Sequence, residues 1–324
     1  MPEFASSLVI PVESQWELTR KCLKSIAATT DRTHTQVIVV DNATSDATAR
    51  GCPFLGEQLF GAAFGYIRNE EARTFAGACN QGAGQARGAV LVFLKPHIEA
   101  QPGWQKALLD DFSGFPDLGP ELGATGPLLV SAEETPLGRT VRELGLALFP
   151  TYELTRLYEG IPAASPLARK RRFFQAIGGA CLAVTRARFM EVGGFDAAAP
   201  PGLEAVELCA RLGRRGLRMT VNPEAVAWVH GSQEEREPGR ADGDARERDI
   251  LSLLRPDWQL HVEADGLVPG VDAWLTCRPM LPREAQDALA ARLQQAGLAA
   301  LKEALIRAPF WLEGWERAVA RAED

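Results

Sequence analysis

No stretch of this chain approaches the ~18 to 20 consecutive apolar residues needed to cross a bilayer. Met1-Pro2-Glu3-Phe4 also lacks the basic start of a signal peptide. Both absences point to the cytoplasm, with the inner face of a membrane as a place of peripheral attachment. The six cysteines, Cys22, Cys52, Cys79, Cys181, Cys209 and Cys277, include no CxxC pair. That argues against a thiolate metal knuckle or a redox pair and leaves most of them as small core residues. A basic surplus is missing too: 35 basic residues against 42 acidic ones give a net charge of −7, which argues against nonspecific nucleic-acid binding. No fixed-period repeat is present, although Ala304 to Trp315 has some character of a helical-repeat cap. What the chain does have is 324 residues at 46% hydrophobic content, enough for one large α/β domain with an appendage.

The most informative stretch is Ala89-Val90-Leu91-Val92-Phe93-Leu94-Lys95-Pro96-His97. An apolar run without a turn signal ends abruptly in a cation, a proline and an imidazole, which reads as a buried strand delivering polar residues at its carboxyl end. Ligands of open α/β sheets sit at such ends, so Lys95 to His97 is the expected floor of a site. Two more strand ends converge on it. Ser7 to Val12 is a β-branched run closed by Pro11, followed by a helix from Trp16 to Thr29 with Leu18, Cys22, Leu23 and Ile26 at helical spacing and Ser14 as candidate N-cap. Val37 to Val40 then runs into Asp41-Asn42-Ala43-Thr44-Ser45-Asp46, completing a β-α-β unit. An Asp at that tip meets a nucleotide in many such folds and serves equally as a cap or turn former.

Phe64 to Ile67 reads as a third strand. Arg73 to Gly88 reads as a helix so rich in glycine and alanine that close approach to the sheet or a ligand must compensate its poor propensity. A helix from Trp104 through Phe112 and a strand within Gly123 to Val130 follow, whereas Pro136 to Pro166 gives no assignable pattern. Arg169-Lys170-Arg171-Arg172 is either a basic segment for phosphates or a solvated loop. Phe174 to Val184 reads as a strand containing the pair Gly178-Gly179, a sign of a bulge or a close-approaching molecule. A short helix from Arg186 to Val192, a turn at Gly193 to Asp196, a helix from Glu204 to Gly216, and strands Leu217–Val221 and Ala225–Val229 ending at His230 complete the expected domain. On the Glu204 helix, Glu204 and Glu207 share a face. The charged stretch 233–248 reads as a linker or exposed loop, and 249–324 as a mainly helical appendage with self-association as one role.

With these pieces in order the chain resembles the family 2 glycosyltransferases. The motifs are Val9-Ile10-Pro11-Val12, Val39 to Asp46, Asn69, Phe75-Ala76, Asn80-Gln81-Gly82, Gly178-Gly179-Ala180-Cys181, Val192 to Asp196, Leu208-Cys209 with Arg211, Gly216 and His230. The resemblance covers about residues 1–232 and implies a GT-A fold, an α/β architecture with a mainly parallel, Rossmann-like sheet flanked by helices. It further implies inverting transfer of a sugar from a nucleotide-diphosphate sugar to a glycan, lipid-linked or protein acceptor. The implied binding residues are Pro11, Val12, Glu13, Asp41, Asn42, Arg73, Lys95, His97 and Gly179, with Asp41 accepting hydrogen bonds from the base and the diphosphate near Lys95 to His97.

The departures from the family pattern shape the expected chemistry. Where family members end the strand in Asp-x-Asp, this chain has Lys95 and His97, and a cation does not ligate Mg²⁺ or Mn²⁺. Where they place a Glu-Asp pair with the catalytic base, this chain has Glu204-Ala205, and Glu13-Ser14 stands where Tyr-Asn is usual. One expectation is therefore an enzyme in which Lys95, with Arg73 or the Arg169 segment, replaces the metal and Glu204 or Glu207 acts as base. A variant keeps a divalent cation, Mn²⁺ or Mg²⁺, on His97 and His230. The alternative is a catalytically inactive homologue that binds nucleotide sugars or scaffolds partners.

Overall fold

The computed structural model describes residues 3–113, 122–135, 138–148, 154–169 and 171–231. The expected linker 233–248 and appendage 249–324 lie outside these residues. The chain opens with β1 (Phe4–Val12), α1 (Trp16–Thr29), β2 (Thr35–Asp41), α2 (Thr48–Phe60), β3 (Phe64–Arg68), α3 (Phe75–Gln85) and β4 (Gly88–Leu94). It continues through β5 (Ile98–Ala100), α4 (Trp104–Asp110), β6 (Leu122–Ser131), β7 (Val141–Glu143), β8 (Leu146–Leu148) and β9 (Leu154–Arg156). The last elements are α5 (Pro166–Arg169), β10 (Arg172–Phe174), β11 (Cys181–Thr185), α6 (Arg186–Glu191), α7 (Glu204–Arg214) and β12 (Arg218–Val229).

One 10-stranded sheet runs β10-β12-β6-β11-β4-β1-β2-β3, with β5 beside β12 and β7 beside β6. Its first half, β4-β1-β2-β3, is entirely parallel. Beyond β4 it is mixed, because β11 lies antiparallel between β4 and β6 while β12 is parallel to β6. The parallel half is covered on both faces, which is why its strands are continuous apolar runs. Leu8, Ile10, Val37, Val39, Val90 and Val92 face a core with α1, α2 and α4. Val9, Ile38, Val40, Leu91 and Phe93 face the other core, built with α3, α6 and α7. Each strand divides its side chains alternately between the two, as the two-residue period of a strand requires.

Glycines allow the helices to come this close. A Cβ at Gly82 of α3 would lie 2.4 Å from Val9 Cγ1, so the expected compensation for a glycine-rich helix is close packing on the sheet. Helix α2 was not read in the sequence, because its Gly51, Pro53 and Gly56 resemble breakers. A Cβ at Gly51 would lie 2.5 Å from the Trp16 ring, and one at Gly56 2.1 Å from Phe64, so tertiary packing selects those glycines.

Other expectations are corrected. Helix α1 is capped not by Ser14 but by Gln15, which adopts a left-handed conformation (φ 66°) and makes no side-chain capping bond. Gly178 and Gly179 are not inside a strand: β10 ends at Phe174 and β11 begins at Cys181. Gly178 instead donates its N–H to Glu143 Oε1 at 2.7 Å, and a Cβ there would fall 2.3 Å from that carboxylate. The two expected strands after α7 are one, β12, with a register shift between Asn222 and Val226. The cysteines Cys22, Cys52, Cys79, Cys181 and Cys209 are all buried thiols, as their scatter suggested.

Candidate active site

The carboxyl ends of β1 and β4 open onto a cavity of about 290 Å³. Its walls are the loop after β1 (Pro11, Glu13, Ser14, Gln15), the loop after β4 (Lys95, Pro96, His97), Phe75 at the start of α3, and Pro201, Gly202 and Glu204 at the start of α7. Thus Pro11, Glu13, Lys95, His97 and Glu204, all expected at the site, face one space. The topology accounts for this: β1 and β4 are adjacent parallel strands, so their ends are level, and the connections into α3 and α7 cross above them.

Lys95 is fixed at its backbone by an N–H bond to Ala180 O of 2.9 Å. Its Nζ stands 5.3 Å from the Phe75 ring centroid, a cation–π seat. Phe75 in turn is the first residue of a helix capped by Thr74, whose hydroxyl accepts the Gly77 N–H at 3.1 Å. Opposite, Glu204 is 7% exposed and its Oε2 accepts the Gly202 N–H at 2.8 Å. The buried Cys79 thiol reports both groups: burial pushes it well up, Glu204 adds to the rise and Lys95 opposes it. A cation and a carboxylate of low exposure therefore line the same cavity.

The Glu204 wall is held by a second set of bonds. Arg211 makes a bidentate pair with Glu207, at 2.5 Å to each oxygen, and donates to the carbonyls of Val192 and Gly194. Asn80 of α3 donates to Phe195 O at 2.8 Å and accepts the Phe195 N–H at 2.9 Å, which ties that turn to α3. Gly193 (φ 86°) and Gly194 (φ 74°) supply the left-handed turn. Phe93, Phe189 and Phe195 fill the space beneath, with ring centroids 4.8 to 5.3 Å apart. Glu207 does not line the cavity; its carboxylate positions Arg211.

The remaining expected residues lie elsewhere. Val12 is wholly buried in the α1-side core. Asp41, at the end of β2, is 0% exposed: its Oδ1 accepts the Thr44 N–H at 2.8 Å and its Oδ2 accepts from Tyr66 OH at 2.5 Å and from the Arg68 guanidinium. Burial, and then the Asp41 carboxylate, push the Tyr66 phenol well above its ordinary value. Asn42 accepts the Arg73 N–H at 2.8 Å and donates to Arg73 O at 2.8 Å, so it shapes the loop into α3, while the Arg73 side chain is exposed away from the cavity lining. Gly179 has Ala205 and Phe75 at 3.5 and 3.9 Å from the position of a Cβ, beneath the cavity, so Ala205 fills the place beside it. Two residues of the basic segment are engaged internally: Arg169 donates to the carbonyls of Ala163 and Pro223 at 3.0 Å each, and Arg171 pairs with the buried Asp111 at 2.6 Å.

His97 is 3% exposed, and His230, just past the end of β12, donates its N–H to His97 O at 3.0 Å. The His230 Nε2 lies 2.5 Å from Glu99 Oε2. Among the described residues no three His, Cys, Asp or Glu side chains converge as a metal group would require. Phe75, Gln15, Pro201 and Gly202 were not singled out for roles in the sequence. A threonine ahead of a helical run, Thr74, is a signal from which the start of α3 could have been read, but nothing local marks Gln15 as left-handed or brings Pro201 to the cavity.

Residues 7–118 match the family model described as Glycosyl transferase family 2. The O-antigen biosynthesis protein RfbC of Myxococcus xanthus is 27% identical over 241 residues, 74% of this chain, and the chain spans only 18% of that relative's length. A crystal structure of GalNAc-T7 with UDP, GalNAc and Mn²⁺ superposes with a TM-score of 0.57 at 18% identity, over 73% of this chain and 45% of that one. The mannosyltransferase PcManGT of Pyrobaculum calidifontis, in complex with GDP-Man and Mn²⁺, gives 0.50 at 15% identity over 97% and 87% of the two chains. These two likenesses establish the fold. No helix among the described residues is long and apolar enough to cross a membrane.

Proposed function

For a chain that carries a glycosyl transferase family 2 domain over residues 7–118, we propose transfer of a sugar from a nucleotide-diphosphate sugar to an acceptor hydroxyl, with Glu204 as the general base. The observation that carries this reading is the shared cavity at the ends of β1 and β4, where a strand-end cation faces a carboxylate of low exposure. Glu204 takes the proton from the acceptor hydroxyl, whose oxygen forms a bond to the anomeric carbon. The bond from that carbon to the diphosphate oxygen breaks, and the nucleoside diphosphate leaves with the electron pair. Gly202, whose N–H is bonded to Oε2, fixes the carboxylate's orientation. Glu204 is the better base of the two acids on α7, because Glu207 is held by Arg211 outside the cavity lining.

The neighbours GalNAc-T7 and PcManGT are described with Mn²⁺, so the fold raises the question of a divalent cation here. The residues present do not suit one. Of the strand-end triplet only His97 offers a metal donor, Lys95 brings a like charge, and a hard cation needs several oxygen ligands. No step above is routed through a metal.

The test is a Glu204→Gln protein assayed with a panel of UDP-, GDP- and dTDP-sugars, reading release of the nucleoside diphosphate. Turnover should fall by about 10² to 10⁴ with the far-UV spectrum unchanged. Retention of full turnover would remove Glu204 as base, and absence of turnover by the parent chain with every donor and acceptor would remove the transferase reading.

A further inference from the structure

We propose that Lys95 is the diphosphate-binding cation of this cavity, so that donor binding needs no divalent metal and the acids Glu13 and Glu204 oppose the donor's phosphates instead of holding an ion for them. The proposal rests on the nucleotide-sugar reading above and goes beyond it to the chemistry that meets the leaving group. Three features of the site carry it.

The first is the seat of the ammonium. Lys95 is anchored through its main-chain N–H to Ala180 O at 2.9 Å, and its Nζ lies over the Phe75 ring at 5.3 Å from the centroid. A lysine otherwise samples many rotamers, and an aromatic face at the rim of a cavity restricts them, so that the ammonium is held within the cavity wall. The second is the donor set. His97 is the one metal donor of the strand end, and His230 beside it directs Nε2 to Glu99 at 2.5 Å. Among the described residues no three ligating side chains converge. The third is the arrangement of charge. Glu13, Glu204, Lys95 and His97 all line the same walls. Around a bound dication such carboxylates strengthen diphosphate binding by holding the ion. Around an ammonium they compete with the phosphates for it.

The two arrangements therefore differ in the sign of one mutational effect. The experiment is calorimetric titration of the full chain with UDP, GDP, CDP and dTDP, each in EDTA and again in Mn²⁺, repeated for Lys95→Met, Lys95→Arg and Glu204→Gln. At least one diphosphate should bind in EDTA, with an affinity that Mn²⁺ changes by less than about threefold. Lys95→Met should weaken it by about tenfold or more, the worth of one charge-assisted contact, and Lys95→Arg should recover part of the loss. Glu204→Gln should tighten it. Binding that requires Mn²⁺, indifference to Lys95→Met, or weakening by Glu204→Gln would each overturn the Lys95 assignment while leaving the nucleotide-sugar reading in place. Failure of the parent chain to bind any of the four under either condition would overturn both. The far-UV spectrum and unfolding midpoint of each variant separate a lost contact from a lost fold.

Discussion

The ends of β2 and β4 are two strands apart in the same parallel half-sheet, carry opposite charges, and are treated in opposite ways by the fold. Asp41 at the end of β2 is closed off completely, with Thr44, Tyr66 and Arg68 bonded to its two oxygens. Lys95 at the end of β4 lines the cavity, with its Nζ over the Phe75 ring. The difference lies in what the neighbouring strand brings. Edge strand β3 delivers Tyr66 and Arg68, which register beside Val39 and Asp41 of β2. Beside β4 lies β11, antiparallel and entered from the glycine pair, so that Cys181 stands opposite Leu94 and the strand end faces the cavity. One end is thereby a clasp of side chains and the other part of a cavity wall.

The largest effect expected from breaking this contrast is at the clasp. Asp41→Ala leaves the Thr44 N–H, the Tyr66 hydroxyl and the Arg68 guanidinium without their acceptor, and should cost about 2 to 4 kcal/mol of stability. It is read as the urea midpoint at an unchanged m-value. A drop below about 0.5 kcal/mol, with a nucleotide affinity that collapses instead, would make Asp41 a binding residue and erase the contrast. The two acids of α7 sharpen it at intermediate scale. Glu207→Gln weakens the hold on Arg211 and so on the Val192 and Gly194 carbonyls, and should lower stability by about 1 to 2 kcal/mol while turnover persists, the reverse of the pattern expected for Glu204→Gln. The smallest effect belongs to the ring beneath the ammonium. Phe75→Leu should weaken diphosphate binding by about 0.5 to 1 kcal/mol, the worth of an exposed cation–π contact, measured in the same titration.

Much of the frame was legible before any coordinates. The apolar runs at Leu8 to Val12, Val37 to Val40 and Val90 to Leu94 read as strands buried on both faces, and an apolar run that stops at Lys95 has to surface there, where the cavity opens. The glycines of α3 announced a close contact, and Gly82 makes it with Val9. Helix α2 was hidden because Gly51, Pro53 and Gly56 carry a local message of breakage that packing against Trp16 and Phe64 overrides. The glycine pair was misplaced for a related reason: Gly178 answers a carboxylate, Glu143, that lies 35 positions away in the chain.

By itself the sequence determined the order of β1 to β4 with helices α1 and α3 between them, the polar termini of β1, β2 and β4, and the series of motifs that resembles the family 2 glycosyltransferases, since each of these is a local pattern of hydrophobicity and turn chemistry. Only the tertiary structure decided which polar residues meet. Asp41 and Lys95 have the same local signature, a charge at the end of a buried strand, and whether such a charge is enclosed or presented depends on partners delivered by strands β3 and β11, far along the chain. Glu204 and Glu207 likewise share one helix face in sequence. The packing of Arg211 against the Gly193-Gly194 turn binds Glu207, and the crossing of α7 over the end of β4 turns Glu204 toward the cavity.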